Sequence, residues 1–290
     1  MISVVIATRN RAPQLEKCLH RFLDLDLDGI SAWELIVVDN GSSDHTAQVV
    51  QSVRHETGLP LTYLLEPIPG VSPARNAGIR AARYDILAFT DDDCVVDSSW
   101  LSAVRRAFEE EPSLALVGGR VELHDPRDFE ISVRRFGDAM KILTLDDLFD
   151  RLIGCNMAMS AEAIRKAGFF DTTMGAGASF RAGEDHEYFY RILKGGGKVL
   201  YDPRILIEHA HGRRDETEIQ KLKSCYIEGR AALIAKHIRA GDRELIRKAY
   251  WEFRALLSPQ ACGKSSELVR DYRVVGVYTI SLLRGLLRLG

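Results

Sequence analysis

Short apolar segments alternate with helical patterns over the first hundred residues, and this alternation constrains the fold more than any other feature. The segments ISVVIA, ELIVVD, LTYLLE and DILAFTD are rich in aliphatic and β-branched residues, which is typical of buried strands. Residues 13–25, 44–55 and 72–82 have helical patterns, and Ser72 followed by Pro73 is a helix start signal. The alternation predicts an α/β fold with a mostly parallel central sheet flanked by helices.

The remainder of the chain is predicted to contain more strands and then only helices. Up to residue 211 we expect a helix at 99–110, a strand in LALVGGRVEL, an irregular segment at 124–151, an extended GCNMAMS, a helix at 161–167, a loop in MGAGASFRAG, a helix in EDHEYFYRILK and two short strands in KVLYDP and RILIEHA. Beyond it we expect helices at 216–239, 243–256 and 267–289. This change of character predicts a C-terminal helical extension.

Charge and cysteine content exclude several classes of protein. The net charge of -2 gives no argument for nucleic acid as a partner. The five cysteines are odd in number and include no C-x-x-C pair, and the apolar run at the N-terminus lacks a basic leader, so we expect a cytoplasmic protein. The last predicted helix is too short, and too often broken by glycine and arginine, to be predicted as a membrane span. It either packs back on the domain or lies at a membrane surface with Arg284 and Arg288 near anionic head groups.

Polar clusters follow three of the predicted strands. They are TRNR after the first strand, DNGSSD after the second and TDDD after the fourth. Because ligands of parallel α/β sheets bind beyond the carboxyl ends of the strands, these clusters predict one site. Two common nucleotide-binding modes are excluded, since the first strand is not followed by G-x-G-x-x-G and ACGKSSE lacks the leading glycine of a P-loop.

Five segments carry a resemblance to a known family. In the order SVVIATRNR, VVDNGSSD, PGVSPARNAG, FTDDD and GEDHEYFYR, they resemble the inverting family 2 glycosyltransferases (GT2), which have the GT-A fold. The resemblance covers most of the chain and implies a GT-A domain over residues 1–211, with a nucleotide-binding half at about 1–123 and an acceptor half at about 124–211. Residues 212–290 would then form the helical extension.

The resemblance implies a nucleotide-sugar donor and a divalent cation, Mn²⁺ or Mg²⁺, that stabilises the departing diphosphate. The family's D-x-D signature maps onto Asp91 and Asp93, with Asp93 as the expected direct ligand and Asp91 or Asp92 reaching the ribose or a metal-bound water. Which two of the three aspartates face the cation stays open. His209 either completes the metal sphere or has a structural role.

The same resemblance implies the nucleotide contacts. Thr8, Arg9 and Asn10 match the family's first contacts, and Asp39 matches the residue that accepts a hydrogen bond from the base, commonly uracil. For Asp39 a turn or helix-capping role is the alternative. Arg75 resembles a diphosphate or nucleotide contact, and a surface ion pair is its alternative.

The acceptor side resembles the family at Glu184 and Asp185. An acceptor hydroxyl that attacks the anomeric carbon needs a carboxylate to take its proton, and Asp185 matches this base, with Glu184 orienting the acceptor or the base. Acidic residues are also favoured in the first turn of a helix by the helix dipole. The catalytic role and the preference for acidic residues in the first turn do not exclude each other.

These inferences predict an EC 2.4 glycosyltransferase of polysaccharide or cell-envelope synthesis. We expect metal-dependent, inverting transfer from a UDP-sugar to a glycan or lipid-linked saccharide at the inner face of the cell membrane, with peripheral membrane association through the C-terminal helices. The first alternative is a non-catalytic protein that binds nucleotide sugars or acts as a scaffold. A sugar nucleotidyltransferase is the second, but the glycine- and arginine-rich first loop that such enzymes share is missing.

Overall fold

The described strands form one curled central sheet, and every strand predicted in the first hundred residues is present. A computed structural model describes residues 1–257 and 272–287. The interiors of the first strands are almost fully buried, as expected for a sheet that is covered on both faces. In the described residues the strands are β1 (Ile2–Thr8), β2 (Trp33–Asp39), β3 (Leu61–Leu65), β4 (Ile86–Asp91), β5 (Cys94–Val96), β6 (Leu114–Leu123), β7 (Lys141–Ile142), β8 (Met157–Ser160) and β9 (Lys198–His209).

One half of the sheet is parallel and positions the polar ends of its strands. β1 lies between β2 and β4, β3 lies outside β2, and all three pairings are parallel. The register places Thr8 beside Asp39, and Ala7 beside Asp91. The carboxyl ends of β1, β2 and β4 therefore meet at one edge of the sheet.

The other half makes the sheet mixed, where the sequence predicted mostly parallel strands. β8 is antiparallel to both β4 and β6, and β9 is parallel to β6 but antiparallel to β5 and β7. β8 enters the sheet from an irregular segment rather than from a crossover helix, so no crossover obliges it to run parallel to its neighbours. The α/β class and the flanking helices agree with the prediction.

The predicted helices are present with small shifts at their ends. The third begins at Val71, and Ser72 is a buried residue of its first turn rather than the predicted N-cap. Gly70 is the N-cap, with a φ of 125°, and donates its N–H to Asn40 Oδ1 at 2.7 Å, so the helix starts two residues earlier than a Ser72 N-cap implies. The helices are α1 (Ala12–Arg21), α2 (Thr46–Thr57), α3 (Val71–Ala81), α4 (Trp100–Glu110), α5 (Ala161–Ala167), α6 (Glu184–Lys194), α7 (Glu216–Arg239), α8 (Arg243–Leu257) and α9 (Tyr272–Leu287).

β9 is one long strand, where the sequence predicted two short ones. Its register with β6 shifts between Gly119 and Arg120, and a Cβ at Gly119 would lie 1.8 Å from the carbonyl oxygen of Ile205. The side-chain amide of Asn156 donates to the carbonyls of Arg120 and Ile205, at 2.9 Å each, and its oxygen accepts the indole N–H of Trp100 at 2.9 Å. The polar groups around the irregularity are satisfied in this way, so the strand continues through it.

The chain divides into two compact units. The first contains Met1–Thr172 and Asp185–Arg214, and the second contains Thr173–Glu184 with the described residues after Arg214. The predicted domain boundary between residues 211 and 212 stays a prediction.

Within the second unit, α7 packs against α8, α9 and the glycine-rich segment before α6. A Cβ at Gly229 would lie 2.3 Å from the carbonyl oxygen of Ala182, and Arg181 forms an ion pair with Glu228 at 3.0 Å. The predicted ends of the last helix, including Arg288, lie outside the described residues. Among the helices of residues 1–257 and 272–287, none is both long and apolar enough to cross a membrane.

Candidate active site

The ends of β1 and β2 are joined by hydrogen bonds between the loops that follow them. Arg9 and Asn10 are exposed directly after Thr8, and Asn10 has a φ of 53°. The backbone N–H of Asn10 donates to Ser42 Oγ at 2.9 Å, and its Oδ1 accepts the N–H of Ser43 at 2.7 Å. These bonds fix the first polar cluster against the second, as the prediction of one shared site requires.

Asp39 is buried at the end of β2, and both of its carboxylate oxygens are hydrogen-bonded. Oδ1 accepts the backbone N–H of Ser42 at 2.8 Å, and Oδ2 accepts the hydroxyl of Tyr63 at 2.8 Å. Burial and the bond to this carboxylate raise the pKa of Tyr63 to about 12, so the phenol remains a donor. Asp39 is therefore held in one orientation at the edge of the sheet.

The three consecutive aspartates have different environments. Asp91 ends β4, is partly exposed and forms an ion pair with Arg75 at 3.2 Å. Asp92 and Asp93 are buried in the turn before β5, and one terminal nitrogen of Arg11 donates to both, at 2.7 and 2.8 Å. Arg11 thus relieves the repulsion between the two buried carboxylates.

The buried pair is electrostatically asymmetric. Burial raises the pKa of Asp92 to about 6, in spite of the attraction of Arg11 and a 2.7 Å hydrogen bond from the hydroxyl of Thr8. Burial also acts to raise the pKa of Asp93, but the hydrogen bond from His209 and the charge of Arg11 hold it well below its usual range. Asp93 is therefore the firmly ionised member of the pair, as a metal ligand needs to be.

Asp93, Cys94 and His209 form a cluster that fits a divalent cation. Nε2 of His209 lies 3.2 Å from Asp93 Oδ1, and Cys94 is the direct cross-strand neighbour of His209. One ligand atom from each of the three residues lies within 4.8 Å of the others. Nδ1 of His209 is buried and has no hydrogen-bond partner within the described part of the chain. The carboxylate oxygen suits Mn²⁺ or Mg²⁺, and the imidazole nitrogen suits transition-metal cations.

Burial and the acidic neighbours of His209 have opposite effects on its pKa. Burial by itself would lower the pKa of His209, but the hydrogen bond to Asp93 and the nearby acidic groups raise it to about 9. A metal ion would therefore replace a proton at this site. The cluster contains Asp93 and His209 of the predicted ligands, while Asp91 faces Arg75 instead.

Asp185 is buried in the first turn of α6 and has fixed partners. Oδ2 accepts the N–H of Gly154 at 2.8 Å, and Oδ1 accepts the N–H of His186 at 2.7 Å. Burial acts to raise the pKa of Asp185, but His186 and the charge of Arg75 hold it well below its usual range. Asp185 is therefore ionised, which a proton acceptor needs to be. Glu184 precedes it as the first residue of α6.

Arg75 lies close to both Asp91 and Asp185. Its guanidinium is buried, is ion-paired with Asp91 and lies 5.7 Å from the centre of the Phe170 ring. A Cβ at Gly154 would lie 3.1 Å from both terminal nitrogens of Arg75 and 3.1 Å from Asp185 Cβ. Arg75 is therefore paired with Asp91 and also lies close to the predicted base, Asp185.

Three residues that hold the site together, Arg11, Gly154 and His186, were not predicted from the sequence. Arg11 belongs to the TRNR cluster that follows β1. This position in the sequence did not indicate that its side chain would contact aspartates about 80 positions later. Gly154 and His186 also escaped notice. The only signal for Gly154 in the sequence is its place in GCN, and the only signal for His186 is that it directly follows Glu184 and Asp185.

Comparison with known proteins decides the family. The family model described as "Glycosyl transferase family 2" matches residues 3–168, more than half of the chain. The chain belongs to this family. Members of glycosyl transferase family 2 are enzymes of EC 2.4 type, so the predicted enzyme class is confirmed at this level.

A curated relative is the pre-mycofactocin glycosyltransferase of Mycobacterium tuberculosis, which is 28% identical over 251 residues, 81% of this chain and 48% of the relative. The chain spans about a quarter to a half of the length of the first curated relatives that it matches.

Two solved structures show the fold. The mannosyltransferase PcManGT from Pyrobaculum calidifontis, in complex with GDP-Man and Mn²⁺, has a TM-score of 0.68 and 20% identity, with 99% of this chain and 87% of that chain covered. TarS from S. aureus, in complex with UDP-GlcNAc, has a TM-score of 0.69 and 16% identity, with 98% and 80% covered. These similarities confirm the predicted GT-A fold.

Proposed function

We propose that this family 2 chain transfers a sugar from a nucleotide-diphosphate donor to a hydroxyl of a glycan or lipid-linked saccharide, with inversion at the anomeric carbon. The observation that carries the proposal is the position of Arg75. It is buried, pairs with Asp91 and lies next to Gly154 and Asp185. A donor diphosphate at Arg75 would therefore lie close to a carboxylate that is able to accept a proton.

The donor side is assigned to the edge formed by β1, β2 and β4. Thr8, Arg9 and Asn10 would contact the nucleotide, and Asp39 would accept a hydrogen bond from the base in place of one of its present partners. Asp92, which Thr8 and Arg11 hold, would lie near the ribose. We expect a UDP-sugar first. Because the two similar structures bind GDP-Man and UDP-GlcNAc, both GDP- and UDP-sugars should be tested.

The cation is assigned to Asp93 and His209, with Asp91 near enough in sequence to contribute through water. When bound, a divalent cation such as Mn²⁺ or Mg²⁺ neutralises negative charge on the departing diphosphate. The 3.2 Å distance between Nε2 of His209 and Asp93 Oδ1, and the low pKa of Asp93, support this assignment. Arg75 adds a second positive charge for the same phosphates.

The acceptor step needs one proton transfer, and we assign it to Asp185. The acceptor oxygen forms a bond to the anomeric carbon from the face opposite the diphosphate. The bond from that carbon to the diphosphate oxygen breaks, and its electron pair leaves with the diphosphate. The acceptor's proton moves to the Asp185 carboxylate, which is ionised beforehand because its pKa is low. Glu184 would orient the acceptor.

The decisive experiment compares the wild type with Asp185→Asn across UDP-, GDP-, CDP- and dTDP-sugars with Mn²⁺. We expect slow release of nucleoside diphosphate from one donor, and a loss of at least about 100-fold in Asp185→Asn because the proton acceptor is gone. Nucleotide affinity, measured by thermal shift, should change by less than about 1 kcal/mol. Asp24→Asn, an exposed carboxylate, is the matched control.

Other outcomes would select another function. Retained turnover in Asp185→Asn would remove this residue as the base. Nucleotide binding without turnover by the wild type, across donors and acceptors, would favour a non-catalytic nucleotide-sugar-binding protein.

We also propose peripheral association with the inner face of the cell membrane through the C-terminal helices. Ile280, Leu283 and Leu287 of α9 are each at least half exposed, and Arg284 is exposed beside them. These residues recur every three or four positions and form one face of the helix. The opposite face, which includes Gly285, packs against α7, so the apolar face is left outward within this unit.

A further inference from the structure

His186 is a mostly buried polar side chain that directly follows the proposed base. Its ring packs against the rings of Phe149 and Phe189, with centres 5.5 and 5.9 Å away. Nδ1 of His186 lies 3.0 Å from Oδ1 of Asp185. The two aromatic contacts restrict the imidazole, so it presents Nδ1 to the carboxylate in a fixed direction.

The contacts of the two ring nitrogens select one tautomer. An ionised carboxylate only accepts hydrogen bonds, so the hydrogen between His186 and Asp185 belongs to Nδ1. Nε2 of His186 is buried and has no hydrogen-bond partner among the residues that the structure describes. A hydrogen on Nε2 would be a buried donor without an acceptor, which is costly. The neutral ring with hydrogen on Nδ1 therefore fits best.

The hydrogen bonds of Asp185 differ between its two oxygens. Oδ1 accepts the backbone N–H of His186 and lies 3.0 Å from Nδ1 of the same residue, and each carboxylate oxygen has two lone pairs. Oδ2 accepts only the N–H of Gly154, among the hydrogen bonds that the structure describes. Oδ1 is therefore saturated, and Oδ2 retains a lone pair for an incoming proton.

We propose that His186 is a positioning residue for Asp185, which directs Oδ2 toward the acceptor hydroxyl by occupying Oδ1. The inference rests on the proposed role of Asp185 as base. His186 itself does not touch the reacting atoms. Without its Nδ1–H, Oδ1 regains a free lone pair while the two backbone N–H groups still hold the carboxylate, so the acceptor hydroxyl is no longer directed to Oδ2 alone and a smaller fraction of complexes reacts.

The kinetic test compares His186→Leu with His186→Asn. Leucine has no N–H to donate to Asp185, so kcat should fall about 10- to 100-fold. The KM for the nucleotide sugar should stay within about twofold, because the residues proposed to bind the nucleotide sugar lie elsewhere. The asparagine amide can place an N–H near the position of Nδ1 and should recover most of kcat. His55→Leu, on the exposed side of α2, is the matched control.

The two variants separate positioning from packing. A purely structural histidine would predict equal losses of kcat in both variants, in step with their melting temperatures, and that result would overturn the proposal. Unchanged kcat in His186→Leu would overturn it as well. An inactive wild type would instead contradict the proposed function.

A measurement that needs no activity tests the same contact. In protein labelled with ¹⁵N-histidine, we expect a hydrogen-bearing Nδ1 and an unprotonated Nε2 for His186, with the signal identified by its absence in His186→Leu. In Asp185→Ala the preference for the Nδ1–H tautomer should disappear. A hydrogen on Nε2 in the wild type would refute the proposed hydrogen bond.

Discussion

Arg11 explains how three consecutive aspartates are tolerated at the end of a buried strand. It pairs with Asp92 and Asp93, while Arg75 pairs with Asp91, so each carboxylate has a cationic partner. Arginine suits this task because its guanidinium presents several donors in fixed directions. The run of aspartates is thus stabilised by side chains that are distant in sequence, before any cation binds.

Replacement of Arg11 by leucine should destabilise the protein. Two buried carboxylates would lose their shared donor, and because about a third of the Arg11 side chain is exposed we expect a loss of about 2 kcal/mol in the free energy of unfolding. Urea denaturation measures it. Arg21→Leu, which breaks an exposed 3.8 Å pair with Asp24, should cost at most about 0.5 kcal/mol. Equal losses in the two variants would show that Arg11 does not support the aspartates.

At the scale of elements, Asn156 joins parts of the fold that the sequence does not connect. It lies just before β8 and bonds the backbone of β6, the backbone of β9 and the indole of Trp100 on α4. These bonds support the long β9, whose last residue is His209. Asn156 thereby helps to position His209, the predicted metal ligand, beside Asp93.

Asn156→Ala should therefore be strongly destabilising. Two carbonyls and one indole N–H would each lose a buried hydrogen bond, at about 1–3 kcal/mol each, so the free energy of unfolding should fall by at least about 3 kcal/mol. Chemical denaturation followed by tryptophan fluorescence measures this loss. Gln51→Ala removes an exposed amide on α2 and should stay within about 0.5 kcal/mol of the wild type. A loss below about 1 kcal/mol in Asn156→Ala would contradict this account.

At the scale of the whole molecule, the second compact unit combines an apolar surface with positive charge. Ile246, Tyr250 and Trp251 of α8 are at least half exposed, as are the aliphatic residues of the outward α9 face. Residues 272–287 contain arginine but neither aspartate nor glutamate. An apolar helix face with arginines and without acidic residues favours the surface of an anionic membrane.

Vesicle binding tests this prediction on the full chain. Binding to vesicles that contain phosphatidylglycerol should exceed binding to pure phosphatidylcholine and should weaken as salt increases. The double substitution Leu283→Asp and Leu287→Asp should reduce partitioning at least about 10-fold, because each buried leucine contributes about 1.5–3 kcal/mol. Leu23→Asp, at an exposed leucine of the first unit, is the control. Equal binding of all three proteins would exclude this face as the membrane contact.

Local patterns determined the α/β class, the order of the strands and helices, and the polar clusters at the strand ends, because each depends on residues that are close in sequence. Only the tertiary structure decided which groups meet. It paired Asp91 with Arg75, gave Asp92 and Asp93 the shared donor Arg11, and brought His209 to Asp93 across more than a hundred residues. These contacts depend on strand order and register, which hydrophobic periodicity does not specify.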